Sequence, residues 1–244
     1  MDNQTKPLTG KRVIVLGGSA GLGLATAKLT AAEGADIVIV SSNQQRINKA
    51  LEELPQGSTG FAVDLSREDN IKNFFDKTGS FDHLVYTAGE NLNLNIIAET
   101  EIEKARQFFN LRFWSAFAAV KYAVTHINKG GSISLTSGVA GARPGKGWSV
   151  ATSICSAMEG FVRAMAVELA PIRVNCVVPG VVKTNLWDNM SDADREALYK
   201  NTGDALLLKR VGEADDIALA FTYLIKQQYG TGQSIIVDGG AVLV

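Results

Sequence analysis

A glycine-dense turn between a strand-like run and a helix-like segment is the feature that most constrains how this chain can fold. Residues 13–16 are apolar, residues 17–23 read GGSAGLG, and a second strand-like run covers residues 35–41. Glycines let the backbone turn tightly, so a pyrophosphate can lie against the exposed N–H groups where the following helix begins. Such a turn can also be a plain connection, but the β-α-β spacing favours a dinucleotide site. The turn residues assigned to this site are Gly17, Ser19, Gly21, Leu22 and Gly23.

Length and composition set the broad class of the protein. The 244 residues, 46% of them hydrophobic, are enough for one large α/β domain or two small ones. The formal charge of −1 argues against nucleic acid or an acidic membrane as a partner. Cys155 and Cys176 form neither a disulfide framework nor a metal-ligand cluster, so no metal is expected. Residues 1–10 lack the apolar core of a signal peptide, and no run reaches the roughly 18 apolar residues of a membrane span. We therefore expect a cytoplasmic protein.

Strand-like apolar runs alternate with helix-length segments along the whole chain. The strand-like runs cover residues 12–16, 36–41, 58–63, 83–87, 131–136, 173–178 and 233–237. Candidate helices lie near residues 21–33, 43–54, 67–77, 103–128, 149–169 and 213–227. This alternation predicts a doubly wound parallel sheet of about seven strands, flanked by helices in a Rossmann-type α/β fold. No Pro-, Gly- and Ser-rich linker divides the chain, so residues 1–244 are expected to form a single dinucleotide-binding domain. The irregular stretch 180–209, which contains a short helical pattern at residues 192–201, is predicted to be a substrate loop or lid.

The end of the second predicted strand indicates which dinucleotide is preferred. A carboxylate at this point would bind the adenosine ribose of NAD and repel the 2′-phosphate of NADP. The chain instead has Ser41, Ser42 and Asn43, with Arg46 as the nearest cation. Two hydroxyls and an amide favour NADP(H) over NAD(H). The same three residues also suit the cap of the following helix, and both roles can hold together.

Turns at the ends of three further strands complete a candidate crevice. Ligands of open α/β sheets bind outside the carboxyl ends of the strands. Asp64 can accept a hydrogen bond from an adenine amino group, or it can cap the helix that begins near Arg67. The small residues after the fourth strand allow a ligand to approach the backbone closely. The residues assigned to the cofactor from these turns are Asp64, Leu65, Ala88, Gly89, Pro179 and Gly180.

These motifs resemble those of the classical short-chain dehydrogenases/reductases nearly from end to end. The glycine turn is similar to the family's TGxxxGxG, with Leu16 where Thr is usual, and residues 86–89 stand where the family has NNAG. The resemblance implies that the Val182 backbone and the Thr184 hydroxyl meet the nicotinamide end of the cofactor. It also implies a homodimer or homotetramer built on two apolar helical segments, 105–127 and 158–170. Simple core packing is the alternative explanation for that apolar surface.

The expected catalytic positions depart from the family. The family has a Ser, a Tyr thirteen residues later and a Lys four residues beyond it. The flanking residues align without a gap, which puts Gly138, Ala151 and Cys155 at these three positions. No tyrosine occurs between Tyr122 and Tyr199, so a small shift of the alignment cannot restore the proton donor.

Two residues remain as catalytic candidates. Asn110 matches the family Asn that orients a water toward the Lys, although that partner is missing here. Ser137 lies next to the vacant Ser position, but strand alternation predicts that it points to the opposite face. Trp148 lies one turn before Ala151, and it can fill the volume of the missing phenol, stack on a ligand or simply pack in the core.

Two functions stay open at this point. The first is an NADP(H)-dependent oxidoreductase with an atypical active centre that acts on a small carbonyl, imine, quinone or activated alkene. A positioned general acid contributes about 10²–10⁴-fold, whereas the hydride comes from the cofactor, so some substrates can react without that acid. The second is an NADP(H)-binding protein without turnover, which acts as a sensor or as an inactive partner subunit. The intact nicotinamide-side residues 179–184 favour the first.

Overall fold

Seven parallel strands form the centre of the molecule, in the order β3-β2-β1-β4-β5-β6-β9. The computed structural model describes residues 6–92 and 94–244. The strands of this sheet are β1 (Arg12–Leu16), β2 (Asp36–Ser41), β3 (Thr59–Ala62), β4 (Phe81–Tyr86), β5 (Ile127–Thr136), β6 (Arg173–Pro179) and β9 (Ser234–Val237). Two short parallel strands, β7 (Val182–Lys183) and β8 (Gly212–Glu213), form a separate pair. The predicted seven-stranded Rossmann-type sheet is confirmed.

Eight α-helices cover the sheet. They are α1 (Gly21–Ala32), α2 (Gln44–Glu52), α3 (Glu68–Thr78), α4 (Ile102–Phe109), α5 (Ser115–Ala123), α6 (Ser149–Glu168), α7 (Asp192–Ala205) and α8 (Ala214–Lys226), counted within the described residues. The segment after β6 contains β7, a 3-10 turn at Asn185–Trp187 and α7. The short helical pattern predicted at residues 192–201 is the greater part of α7.

The prediction of one continuous helix near residues 103–128 was wrong. A π-helical turn at Asn110–Trp114 separates α4 from α5, and β5 already begins at Ile127. The sequence did not indicate this early start, since residues 129–131 are typical of a turn. In the structure Ile127 already pairs with Phe81, and a register irregularity in the β4–β5 ladder follows. Single π-helical turns within α-helices are frequently found at functional sites.

Alternation along the buried strands gives the sheet one apolar layer on each face. In β1, Ile14 and Leu16 belong to the core cluster under α3, α5 and α6, whereas Val13 and Val15 belong to the cluster under α1 and α8. All four side chains are fully buried. Burial on both faces accounts for the continuous apolar runs of the sequence, as is usual in parallel sheets. The apolar cores on the two faces of the sheet therefore hold the strand ends in place.

One described helix, α6, is long and apolar enough to cross a membrane by length and composition alone. A single such helix is weak evidence, because a core helix of a globular domain can pass the same test. Met158, Phe161 and Val162 on α6 are buried in the core over the sheet, whereas Val167 is 82% exposed. The apolar character of α6 is thus only partly accounted for by the core.

Candidate cofactor and substrate site

A cavity of about 350 Å³ runs along the carboxyl ends of β1 to β6. Its size and its position at the strand ends are those of a ligand site in an open α/β sheet. Most of the residues predicted to bind the cofactor line it. They are Gly17, Ser19, Gly21, Leu22, Ser41, Ser42, Asp64, Leu65, Ala88, Gly89, Pro179, Gly180, Val182 and Thr184.

The N-terminus of α1 opens into this cavity and is suited to an anion. Its N-cap, Ala20, makes no side-chain cap hydrogen bond, and the first turn of α1 carries no acidic residue. The initial N–H groups of the helix are therefore left for a ligand, and the helix dipole favours negative charge there. Gly17 has a φ of +90°, and a Cβ on it would lie 2.5 Å from the Ala88 nitrogen. The turn thus fits the pyrophosphate of a dinucleotide.

Two of the predicted cofactor residues do not line the cavity. A Cβ on Gly23 would lie 2.3 Å from the carbonyl oxygen of Gly17, so this glycine lets α1 pack against the turn from behind. Asn43 is the N-cap of α2, and its side chain accepts a hydrogen bond of 3.0 Å from the Arg46 N–H. The capping alternative holds for Asn43, whereas Ser41 and Ser42 face the cavity.

The ends of β2 and β3 form the adenosine end of the site. Ser19 Oγ donates to Ser41 Oγ at 2.8 Å, and the Arg46 side chain lies nearby on the cavity wall. Asp64 accepts hydrogen bonds from the hydroxyl and N–H of Ser66, at 2.6 and 3.0 Å, and the Ser66 hydroxyl is the main cause of its lowered pKa. Asp64 is the sole carboxylate among the described residues that line the cavity. It is ionised at neutral pH and can accept a further hydrogen bond.

Gly138, Ala151 and Cys155 meet at the other end of the cavity. All three line it, and a Cβ on Gly138 would lie 3.3 Å from Cys155 Sγ. The Cys155 thiol has its pKa raised by burial, so it stays protonated at neutral pH. A protonated, partly buried thiol is a poor nucleophile. These side chains offer space but no acid or base.

Neither predicted catalytic residue presents a free group to this space. Ser137 lines the cavity, but its hydroxyl lies 3.2 Å from both the Cys155 carbonyl and a Glu159 carboxylate oxygen. Asn110 does not line the cavity, and its amide donates to the Ser66 carbonyl at 2.9 Å. The structure therefore brings Ser137, but not Asn110, to the region of Gly138.

Tyr86 is the only tyrosine among the described residues that line the cavity, and no lysine is found there. Its ring is fully buried, and its hydroxyl donates to the Leu111 carbonyl at 2.6 Å. Burial raises the pKa of this phenol. A phenol held in this way is not available to a substrate.

Arg112 lines the same end of the cavity, and sequence reasoning missed it. It projects from the π-helical turn, its Nη2 donates to the carbonyl of Glu90, and its Cζ lies 4.7 Å from the centroid of the Phe108 ring. A Cβ on Gly89 would lie 3.0 Å from the guanidinium, so a larger residue there would crowd Arg112. The available signal was a single charge within the aromatic stretch 108–114.

Large apolar side chains complete the wall beside Gly138, Ala151 and Cys155. Trp187 is buried, and its indole N–H donates to the Val182 carbonyl at 3.0 Å. It packs with Tyr199 and Val211, and Leu92, which comes after β4, packs against the same cluster. The 180–209 segment is thereby joined to the body of the protein. The apolar wall residues are Leu92, Leu94, Phe108, Trp148, Ile154, Leu186 and Trp187. This end of the cavity suits an apolar substrate body.

Comparisons with known proteins agree with this geometry. A family model described as enoyl-(acyl carrier protein) reductase matches residues 17–242. A short-chain dehydrogenase/reductase of Stachybotrys chlorohalonatus is 35% identical over 97% of this chain and 98% of that protein. A solved small-chain dehydrogenase in complex with NADPH is 35% identical, with a TM-score of 0.86 over 96% of this chain and 99% of that one. The MalC reductase/Diels-Alderase of Malbranchea aurantiaca is 29% identical, with a TM-score of 0.90 over 98% and 99%.

Proposed function

The chain belongs to the short-chain dehydrogenase/reductase family, and we propose that it is an NADP(H)-dependent oxidoreductase with an active centre that lacks the usual Ser, Tyr and Lys. One observation carries the proposal. A single cavity joins the anion-ready N-terminus of α1 to the space beside Gly138, Ala151 and Cys155. The first part is what a dinucleotide needs. The second part is where the family's proton donor would be expected.

The chain's own residues contribute binding, orientation and exclusion of water. When bound, the nicotinamide supplies a hydride. The N–H groups at the start of α1 would hold the pyrophosphate, while Val182 and Thr184 would meet the nicotinamide end. The tryptophans at positions 148 and 187 shield the reacting region from water. No lysine among the described residues lines the cavity, and its one described tyrosine is buried, so the substrate must need little help with protonation. Small quinones, activated alkenes, imines and carbonyls with water as the proton source meet this condition.

The adenosine end supports NADP(H) as the preferred cofactor. Ser41 and Ser42 give hydroxyls where a carboxylate would select NAD(H), and Arg46 adds a positive charge on the same wall. A 2′-phosphate would accept hydrogen bonds from these groups. One neighbouring structure is itself an NADPH complex, which agrees with this preference.

Titration with NADPH and NADH tests binding and preference together. Two tryptophans line the cavity, so quenching of their fluorescence reports occupancy. We expect NADPH to bind about 10–100-fold more tightly than NADH, as charge-assisted hydrogen bonds to the 2′-phosphate predict. Ser41→Asp should reverse the order, because its carboxylate repels the phosphate, whereas Ser41→Asn should keep it. Equal affinities in the unmodified protein would contradict the preference, and no binding of either dinucleotide would contradict the proposed function.

A cofactor-binding protein without turnover is the second candidate. The observation that favours it is that the hydroxyl of Ser137 is already engaged by α6, while the Tyr86 phenol is buried. Such a protein would serve as a sensor of the NADP(H) pool or as an inactive partner subunit. It would bind NADPH and leave it unoxidised with every class of acceptor named above.

An aromatic surface on α5 and α6 supports the proposal of a homodimer or homotetramer. Trp114 is 56% exposed and Phe117 is 38% exposed, and Phe117 stacks on Phe161 with ring centroids 4.8 Å apart. A contiguous exposed apolar patch of this kind marks a contact surface. Trp114→Glu should lower the mass measured by light scattering to that of one chain, whereas Ile97→Glu, at a more exposed site elsewhere, should not. A wild-type protein that is already a monomer would contradict the proposal.

A further inference from the structure

Arg112 is the one charged side chain that the structure describes at the Gly138 end of the cavity. The other charged lining residues, Arg46 and Asp64, follow β2 and β3 at the adenosine end. Arg112 comes from the turn between α4 and α5 and lies near Cys155, where its positive charge opposes the burial-driven rise in the pKa of the thiol. A cation from a neighbouring helix is therefore present beside the position at which the family's Lys is expected.

The guanidinium is held firmly but is not fully hydrogen-bonded. Its Nη2 donates to the Glu90 carbonyl, and the ring of Phe108 lies beneath it. Its Nε is buried without a hydrogen-bond partner, and so is Glu90 Oε2, which lies 3.8 Å from that Nε. This distance is too long for a hydrogen bond. Guanidinium groups carry five N–H donors, and a buried polar group left unpaired is costly.

If Arg112 and Glu90 formed a purely structural ion pair, their Nε and Oε2 atoms would be expected to lie within hydrogen-bond distance rather than 3.8 Å apart. Instead, the side chain of Arg112 keeps 21% of its surface exposed, and it lies on the cavity wall. A ligand oxygen that enters the cavity can accept a hydrogen bond from the guanidinium. Its planar array of donors suits an oxygen that carries negative charge.

We propose that Arg112 binds the substrate oxygen, and that the substrate is an acceptor whose oxygen becomes anionic on reduction: a quinone or an α,β-unsaturated carbonyl compound. This rests on the proposed function, because it assigns one further residue and the substrate class to the same site.

The charge balance explains why these two classes fit. Hydride adds to one oxygen of a quinone or to the β-carbon of the unsaturated carbonyl compound, and NADPH is thereby oxidised to NADP⁺. The displaced electron pair moves through the conjugated system to the other quinone oxygen or to the carbonyl oxygen. This oxygen becomes that of a hydroquinone monoanion or an enolate, and Arg112 stabilises its charge. Water protonates the product afterwards. Protonation by water after the hydride transfer is feasible because a phenolate is a weak base: the pKa of a phenol is about 10, as in tyrosine. Reduction of a simple ketone would instead form an alkoxide, which is nearly as basic as hydroxide.

The same cation argues against a protonated imine as the substrate. Hydride transfer to an iminium neutralises a positive charge, and a neighbouring guanidinium would repel that cation before the reaction. Like charges a few ångströms apart repel strongly at a partly buried site, where water screens them incompletely. Glu90 lies on the Nε side of the guanidinium and offsets part of this repulsion.

Binding of 4-nitrophenol tests the assignment without any turnover. The probe mimics an anionic product oxygen, and its phenolate form is yellow. We expect the protein with NADP⁺ to bind it as the phenolate and to lower its apparent pKa. Arg112→Gln should weaken phenolate binding about 10–100-fold, the factor for one charge-assisted hydrogen bond, while Arg112→Lys should retain part of the affinity. Arg106→Gln, an exposed arginine of α4, is the matched control and should change nothing.

A variant of Glu90 is expected to change the phenolate affinity in the opposite direction from Arg112→Gln. Glu90→Gln removes the counter-charge and should strengthen phenolate binding, whereas damage to the fold would weaken binding in both single variants. If Arg112→Gln fails to fold because Glu90 is left buried and unpaired, Arg112→Gln combined with Glu90→Gln removes both charges and keeps the test possible. The proposal is overturned if the probe binds as the neutral phenol, or if binding is equal with and without Arg112.

Failure of the proposed function is separable from failure of this inference. If NADP⁺ and NADPH do not bind, the proposed function fails, and the same titrations on the protein alone still decide whether Arg112 holds an anionic oxygen. If NADPH binds and Arg112→Gln leaves the phenolate affinity unchanged, only the assignment of Arg112 is lost.

Discussion

The combined variant Gly138→Ser, Ala151→Tyr and Cys155→Lys should reduce simple ketones with NADPH about 10²–10⁴-fold faster than the unmodified protein. This is the factor that a positioned general acid contributes. The three positions already line one end of the cavity, and residues 151 and 155 are one helical turn apart on α6. Side chains with that spacing lie on the same face of a helix. A new phenol and a new ammonium would therefore be neighbours.

The control for this gain replaces Ala151 by Phe instead of Tyr in the same triple background. It keeps the ring volume and removes only the hydroxyl, so it should show no gain in ketone reduction. Equal rates for the Tyr and Phe versions, in folded proteins that bind NADPH, would contradict the assignment of these positions.

Ala20→Asp should weaken NADPH binding by about 10²–10³-fold while leaving the fold at least as stable. Ala20 is the N-cap of α1 and lines the cavity, and its backbone is extended, as an N-cap requires. Asp and Asn are similarly good N-cap residues, each worth about 0.5–2 kcal/mol of stability over Ala. Only Asp adds a negative charge, and at about 4–5 Å from a pyrophosphate this repulsion costs roughly 3–4 kcal/mol.

Ala20→Asn is the matched comparison, since it differs from Ala20→Asp by one charge. Both variants should raise the melting temperature slightly, because both cap α1. The affinity for NADPH, measured by quenching of tryptophan fluorescence, should fall steeply for Asp and much less for Asn. If both variants bind NADPH equally well, the pyrophosphate does not lie at the N-terminus of α1.

Patterns local to a strand and its turn predicted the sheet and much of the cavity wall. The buried run of β1 and the glycines after it allow few alternatives, because a residue larger than glycine at position 17 would clash with Ala88. Gly23 and Asn43 show the limit of this reasoning. Their neighbours in sequence line the cavity, but Gly23 packs against the glycine turn and Asn43 caps α2.

The substrate end was harder to predict because it depends on contacts between distant segments. Asn110 and Arg112 lie in a π-helical turn that helical periodicity does not reveal. Within that turn, the Asn110 amide donates to the Ser66 carbonyl. Arg112 lies beside Gly89 and donates to the Glu90 carbonyl. Both contacts join residues more than twenty positions apart in the sequence. The approach of Ser137 to Glu159 on α6 is of the same kind.

The decisive measurement compares two hydride acceptors, 9,10-phenanthrenequinone and cyclohexanone. The oxidation of NADPH with each acceptor is followed side by side through the loss of NADPH absorbance. A nicotinamide site without a phenol and ammonium pair should reduce the quinone and should reduce cyclohexanone at least about 10²-fold more slowly. Comparable rates with the two acceptors would show that a working proton donor stands at the site, and would contradict the account. Bound NADPH that neither acceptor oxidises would contradict its catalytic part.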